Sequence, residues 1–377
     1  MSLITYLTKI HFADNVLAEA LEAEIEALGL RRPMIVTDGG VAASGLLERL
    51  TAGLSARLDH VVFTATLGRA CEAECHAAAE IYRAENCHGL IGFGGGSPID
   101  LAKVIALTAT HDGPLIRYAA HEGGTTRIRD VLPPVIAIPT TAGTGSEVVG
   151  AASIMPDDGP AFVLRSPFLV PRVAICDPTL TLDLPAHLTA GTGMDALSHC
   201  IETYVATAYN PPADGIALDG LRRVMANIER AVAHGSDLDA RREMMAAALN
   251  GALALQKGLG GVHAMSNALG ALAGYDLHHG TLNAVLLPHV LAFNAPAVGE
   301  RYDALKASAR IANGDDLAGS LYRLGERLGL PSRLGDMGLD EAGIALAAPL
   351  AERDHANRTN PRRAHAADYL RIMQAAL

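Results

Sequence analysis

Residues 89–110 read GLIGFGGGSPIDLAKVIALTAT. Gly89 to Phe93 is a short apolar run of the kind that forms a strand buried on both faces. Leu101 to Thr110 has the length and residue types of a helix. Gly94, Gly95, Gly96 and Ser97 lie between them. Glycines let a backbone approach an anion closely, and a helix start directs unpaired N–H groups and the positive end of its dipole at a phosphate. Ser97 is placed to cap that helix, Pro98 to take its first position, and Asp100 to complete a capping box. The GxGxxG spacing is not met, because Ser97 stands where the third glycine would be, so a plain tight turn is the competing expectation.

The same alternation extends outward on both sides. Upstream, a β-like piece around Ile4 to Phe12 leads to an apolar-striped helix, Asn15 to Leu28, ended by Gly29. Pro33 to Asp38 reads as a buried strand, Ala42 to Ser55 as a helix, His60 to Phe63 as a strand and Glu72 to Glu85 as a helix. Downstream, Gly113 to Pro134 reads as an irregular insertion, Val135 to Ile138 as a strand, and Pro139 to Ser146 as a loop. Short β-branched runs alternating with helices predict an α/β, Rossmann-like domain with a parallel sheet. Asp38 ends the second strand, where such folds read a ribose; a carboxylate there accepts bonds from the 2′-hydroxyl and repels a 2′-phosphate, favouring NAD over NADP. An Asp-Gly turn is the alternative role. Thr140, Thr141, Thr144 and Ser146 supply hydroxyls for a second wall of the same site.

From about Pro185 the β-branched runs disappear, and nine helical patterns follow: Ala190–Ala206, Pro212–Ala233, Leu238–Leu255, His263–Ala273, Gly280–Ala295, Glu300–Ala312, Leu317–Leu328, Asp340–Ala351 and Ala366–Ala376. The expected division is residues 1–184 as the dinucleotide-binding domain and 185–377 as an all-α metal and substrate domain. This half carries the one convincing set of metal-ligand residue types. In GTGMDALSHCIETY at 191–204, Asp195 and His199 are four apart and share a helix face. His263 and His279 each sit in a Gly-rich neighbourhood. One carboxylate and three imidazoles suit Fe(II) or Zn(II) and do not suit Ca or Mg. A lone Asp/His pair at this spacing is more often structural, so the set rests on its surroundings.

Composition limits the partners. The 377 residues are 50% apolar with a net charge of −11, which argues against nucleic acid and anionic membranes. Five cysteines without a CxxC pair, and an opening segment too polar for a secretory signal, point to reduced thiols in the cytoplasm. With no run of about 18 apolar residues, no membrane span is expected.

Together these stretches resemble the iron-containing (group III) alcohol dehydrogenase family, within the dehydroquinate synthase-like superfamily. The resemblance is carried by IVTDGGV at 35–41, GFGGGSPIDLAKVIAL at 92–107, IPTTAGTGSEV at 138–148, GTGMDALSHCIETY at 191–204, HHGTLNAVLLPHVLAFN at 278–294 and TNPR at 359–362. It implies a divalent metal in the cleft between the two domains, Fe(II) with Zn(II) as the alternative, held by Asp195, His199, His263 and His279. It also implies NAD with its pyrophosphate on Gly94–Ser97 and its nicotinamide near Thr140, Thr141 and Thr144. Activity would be reversible hydride transfer between a small primary alcohol, diol or hydroxy acid and the nicotinamide, in a homodimer or larger homo-oligomer. Rival expectations are a glycerol dehydrogenase-like or maleylacetate reductase-like enzyme, or a nucleotide-binding protein that has lost catalysis. Several positions depart from the family. Asn267 stands where relatives often carry a His, and Asn cannot titrate. His278 and His279 compete for the last ligand position; His279 is preferred because it directly precedes Gly280, leaving His278 for substrate or a proton path. Leu67-Gly68-Arg69 replaces an Asn-Pro, and the stretch before His279 is longer through Ala273-Gly274. A Lys common before Ser166-Pro167 is missing, with Ala161 near its place and Arg165 close by.

Overall fold

The computed structural model describes residues 4–52, 54, 58–65, 70–157, 159–272, 274–312 and 314–377. Ser55, Leu67-Gly68-Arg69 and Ala273 therefore lie outside the described residues. The chain forms two compact units: Tyr6–Thr141 with Gly145–Asp183, and Leu184–Leu377 with Met1–Thr5 and Ala142–Thr144. Three residues of the loop after Pro139 thus group with the helices, which a split at a single point in the chain does not anticipate.

The first unit runs β1 (Lys9–Phe12), α1 (Leu17–Ala27), β2 (Pro33–Asp38), α2 (Gly39–Ala43), α3 (Leu46–Ala52), β3 (Val61–Ala65), α4 (Glu72–Ala84), β4 (Gly89–Gly94), α5 (Gly96–Thr110), β5 (Val135–Pro139), β6 (Ala151–Ile154), β7 (Phe162–Arg165) and β8 (Val173–Cys176). Six strands form a parallel sheet in the order β1-β8-β5-β4-β2-β3. Successive side chains point to opposite faces, and both faces are covered. Met34, Val36 and Leu90 join the core under α4 and α5, while Ile35, Ile91 and Phe93 join the core under α1 and α3. That is why these strands read as unbroken apolar runs. Between β4 and α5 the backbones pack closely at Gly92, where a Cβ would stand 3.0 Å from the Cα of Ile99. After β2 the chain steps outward to β3, then crosses back to lay β4 on the other side of β2. The strand order reverses there, and the carboxyl ends of β2 and β4 meet at the switch point where such sheets bind ligands.

Two local expectations are corrected, and one strand pair is added. The single helix over 42–55 is two, α2 and α3, because Gly45 takes a left-handed conformation at φ 80° between them. The insertion over 113–134 is irregular as expected, with three 3₁₀ turns, but β6 and β7 pair as an antiparallel hairpin that alternation did not foretell. Helix α5 starts at Gly96, its cap position being Gly95 with no side-chain cap. The left-handed turn at Gly94, φ 147°, begins the helix early and puts Ser97 and Pro98 inside the first turn. Ser97 therefore does not cap it, and Asp100 does not complete a capping box.

The second unit consists of α6 (Ala186–Val205), α7 (Pro211–Ala233), α8 (Leu238–Ala254), α9 (Gly261–Gly270), α10 (His279–Val298), α11 (Arg301–Ser308), α12 (Leu317–Arg327), α13 (Glu341–Arg353) and α14 (Ala366–Ala376). All nine helical patterns appear, with ends shifted by a few residues. Helix α6 is buried at every position from Thr189 to Val205, packed by α7, α8 and α10. A helix covered on all sides needs small residues for close approach. Gly193 meets Ile228 and Met244, where a Cβ would fall 2.8 Å from each side chain. Helix α10 is the one described helix long and apolar enough to cross a bilayer, by length and composition alone. Its Leu282–Pro288 stretch is buried, and it packs on α6, α9, α12 and α14, so it is a core helix of this unit.

Candidate metal centre and nucleotide site

Asp195 and His199 project from the same face of buried α6, and only 2% and 5% of their surfaces are exposed. His263 lies in the first turn of α9 and is equally buried; His279 opens α10 and keeps 40% of its side chain exposed. The three elements converge on one atom. Oδ1 of Asp195 has the Nε2 atoms of His263 at 3.5 Å and of His199 and His279 at 3.8 Å. Asp195, His263 and His279 each offer a ligand atom within 4.8 Å of the others, and the His199 ring stacks on His263 with centroids 4.5 Å apart.

A pair of glycines makes this convergence possible. A Cβ on Gly280 would fall 2.1 Å from the carbonyl oxygen of Gly191 and 3.2 Å from the Cβ of Asp195. Only bare backbone lets the start of α10 lie against α6 and bring His279 to Asp195. The same contact gives the two adjacent histidines different surroundings. His278 occupies the cap position of α10, where its Nδ1 accepts from the Thr281 N–H at 3.3 Å. Its ring lies over Gly191, and His279 is the one whose Nε2 faces the carboxylate.

The spacings fit a metal better than a hydrogen-bonded cluster. Hydrogen bonds between such groups run to about 3.2 Å, whereas two ligands each about 2.1 Å from one ion at a tetrahedral angle stand about 3.4 Å apart. Two buried atoms at the cluster, His199 Nδ1 and Asn283 Oδ1, make no hydrogen bond. Burial raises the cost of charging Asp195, yet the surrounding imidazoles hold its carboxyl well below the usual range. Burial pulls His199 down to about 4. His263 is also opposed by burial, but the adjacent Asp195 carboxylate and the hydrogen bond to Glu202 push it up to about 9. The donor set is therefore one anionic oxygen among imidazoles of mixed protonation, a chemistry that a divalent cation satisfies by replacing protons.

Two neighbours were not singled out from the sequence. Glu202 accepts from His263 Nδ1 at 2.7 Å, and Asn283 donates to Asp195 Oδ1 at 2.8 Å. Periodicity held the signal: Glu202 is seven residues past Asp195 and Asn283 is four past His279. Asn267, four past His263, donates to Asp354 at 3.2 Å.

In the sheet unit, Asp38 caps α2 through Oδ1, which accepts from the Val41 N–H at 2.9 Å. Its other oxygen lies against the glycine loop: a Cβ on Gly94 would stand 3.4 Å from Oδ2. The turn role read from the sequence is thus met by one oxygen, while the other stays beside the glycine loop. Thr140 donates its N–H to the Gly94 carbonyl at 2.9 Å, and the Thr141 side chain lies against Gly95. Asp38, Gly94, Gly95, Thr140 and Thr141 accordingly gather at the carboxyl ends of β2, β4 and β5, beside the start of α5, with Gly96 and Ser97 in its first turn. Thr144 groups with the helical unit. Asp100 and Ser146 are held by a wholly buried lysine. Lys103 Nζ donates to Ser146 Oγ at 2.6 Å, to Asp100 at 3.2 Å and to the Ala151 carbonyl at 2.8 Å, while Ser146 donates to Asp100 at 2.5 Å.

A nucleotide-binding sheet and a carboxylate–imidazole centre in one chain define a metal-dependent, nicotinamide-linked dehydrogenase. The chain belongs to the iron-containing alcohol dehydrogenase family, whose model matches residues 8–178, with the family's C-terminal model matching 189–377. It is an oxidoreductase acting on CH–OH groups. It is 49% identical to the 4-hydroxybutyrate dehydrogenase of Cupriavidus necator over 384 aligned positions, covering 100% of both chains. Among solved structures, a 1,3-propanediol oxidoreductase superposes with a TM-score of 0.92 at 32% identity, covering 100% of both chains. The sulfoacetaldehyde reductase of Bifidobacterium kashiwanohense, solved with NAD+, superposes with a TM-score of 0.89 at 28% identity, covering 100% of this chain and 98% of that one.

Proposed function

We propose that this chain is an NAD-dependent dehydrogenase of short ω-hydroxy acids, interconverting a primary alcohol that carries a distant carboxylate and its aldehyde. The observation that carries the metal assignment is the convergence of three imidazole Nε2 atoms on Asp195 Oδ1. Asp195, His199, His263 and His279 would hold one Fe(II), or Zn(II) in its place. The substrate class is supported by the 4-hydroxybutyrate dehydrogenase at 49% identity. When bound, the metal supplies a Lewis acid that makes the alcohol hydroxyl acidic near neutral pH.

The remaining work falls to the protein. Gly94, Gly95, Gly96 and Ser97 admit a pyrophosphate to the start of α5, and the helix dipole favours its charge. Asp38 accepts the ribose hydroxyls and repels a 2′-phosphate, selecting NAD. Thr140, Thr141 and Thr144 place hydroxyls for the nicotinamide end, with Asp100 and Ser146 bracing that wall through Lys103. Asn283 fixes Asp195 by donating to it. Asn267 carries no titratable proton, so proton release falls to exposed His278, adjacent to His279. Residues 1–184 form the nucleotide half and 185–377 the metal half of a cytoplasmic homodimer or larger homo-oligomer.

The test is anaerobic loading of the purified chain with Fe(II) or Zn(II), followed by NAD reduction with a panel of ω-hydroxy acids, diols and simple alcohols. Asp195→Ala and His263→Ala should lose both metal and turnover while binding NAD as before. Full metal content and full activity in those variants would remove the metal assignment; a preference for simple alcohols over 4-hydroxybutyrate would remove the substrate class.

A further inference from the structure

Asp195, His199 and Glu202 recur at four and then three residues along α6, so all three project from one face. We infer that Glu202 is a positioning residue that decides which nitrogen of His263 is offered to the metal; this rests on the metal assignment above. Glu202 is 3% exposed. Its Oε2 accepts from His263 Nδ1 at 2.7 Å and from the His263 N–H at 3.2 Å, and its Oε1 accepts from the Val262 N–H at 2.6 Å. One carboxylate therefore caps the start of α9 and grips the ring that α9 carries. Gly260 makes room for it: a Cβ there would fall 2.8 Å from Glu202 Oε1. The neighbouring N–H, that of Gly261, goes to Asn360 Oδ1 at 3.0 Å, which leaves the Glu202 oxygens to Val262 and His263.

An ionised carboxylate can only accept. Opposite Glu202, His263 Nδ1 must carry its proton, and Nε2, 3.5 Å from Asp195 Oδ1, becomes the nitrogen with a lone pair to give. Glutamine has the same shape but one acceptor and one donor. With its oxygen on the Val262 N–H, its amide nitrogen faces His263 Nδ1 and also the His263 N–H, which loses its acceptor. The ring must then accept there, and its proton moves to Nε2, where it blocks the metal. In the reverse orientation the amide nitrogen opposes the Val262 N–H and loosens the first turn of α9.

The test compares zinc affinity of the metal-free full-length chain, by competition with a chromophoric chelator, for the unmodified protein, Glu202→Gln, Asn360→Ala and Asp195→Ala. Glu202→Gln should bind zinc about 10- to 100-fold more weakly. Asn360→Ala takes an acceptor from the same helix start without touching the ring, and should stay within about threefold. A ¹⁵N NMR spectrum of the zinc-loaded unmodified protein should show His263 protonated at Nδ1 and ligated through Nε2, which decides the matter even if Glu202→Gln does not fold. Affinity within threefold for Glu202→Gln, equal losses in Glu202→Gln and Asn360→Ala, or ligation through Nδ1 would each overturn the role given to Glu202. Undiminished zinc binding by Asp195→Ala would instead overturn the metal assignment itself.

Discussion

Replacing Gly280 by alanine probes the contact on which the metal centre depends. The new Cβ would lie 2.1 Å from the Gly191 carbonyl oxygen and 2.7 Å from its carbon, both backbone atoms that no rotamer change can move. Restoring an ordinary contact requires the start of α10 to withdraw from α6 by about 1 Å. Metal–ligand distances tolerate about 0.2 Å, and His279 directly precedes the displaced residue while Asp195 lies on the helix it retreats from. Alanine gains up to about 1 kcal/mol over glycine in helical backbone. Overpacking a buried contact costs about 1–3 kcal/mol, so the clash wins by a modest margin in the metal-free protein. The effect on metal is larger, because one of the four proposed ligands is pulled out of reach. Gly280→Ala should fold, melt a few degrees lower without metal, and bind Zn(II) at least about 100-fold more weakly. Chelator competition with elemental analysis reads the affinity and stoichiometry, and calorimetry reads the melting point. Retention of one metal per chain at affinity within threefold of the unmodified protein would refute the claim that this glycine contact sets the ligand geometry.

Two further outcomes follow from single side chains. Asp38→Asn keeps a good helix cap for α2 but removes the negative charge at the end of β2, so kcat/KM with NADP relative to NAD should rise by at least about tenfold; an unmoved ratio would mean that Asp38 does not read the ribose. Glu147 is buried, and burial pushes its carboxyl from 4.5 up to about 7 although its own backbone and Lys103 pull the other way. The folded chain then holds a proton that the unfolded chain has already released, so stability falls as pH rises from about 4.5 to about 7 and levels off above, by up to about 3 kcal/mol. Glu147→Gln does not titrate, and its stability relative to the unmodified protein, measured by urea unfolding from about pH 5 to pH 8, should improve across that window; a pH-independent difference would exclude the buried carboxylate as its source.

Much of this protein is legible in the order of its residues, because the signals are local. Strands β2, β4 and β5 show themselves as apolar runs, since a sheet covered on both faces has no polar side to alternate with. The nine helices among the described residues of the second unit show themselves by spacing, and Asp195 and His199 by lying one turn apart. Tertiary structure decided what no window of sequence contains. The preference for His279 over His278 came from motif position alone; the physical reason is the approach of Gly280 to Gly191, residues far apart in the chain. Ser97 looked like a cap by residue type, but the backbone turn at Gly94 starts the helix before it. Asp100, expected to cap, is held instead by Lys103 and by Ser146, 46 residues on. Glu202 and Asn283 lie on the right helical faces, yet many polar residues share a face with something, and only packing shows which of them reach the imidazoles and the carboxylate. Helix, strand and residue type are encoded by near neighbours; which nitrogen meets which oxygen depends on helices brought together across eighty residues of chain, and that is set by where the glycines let backbones touch.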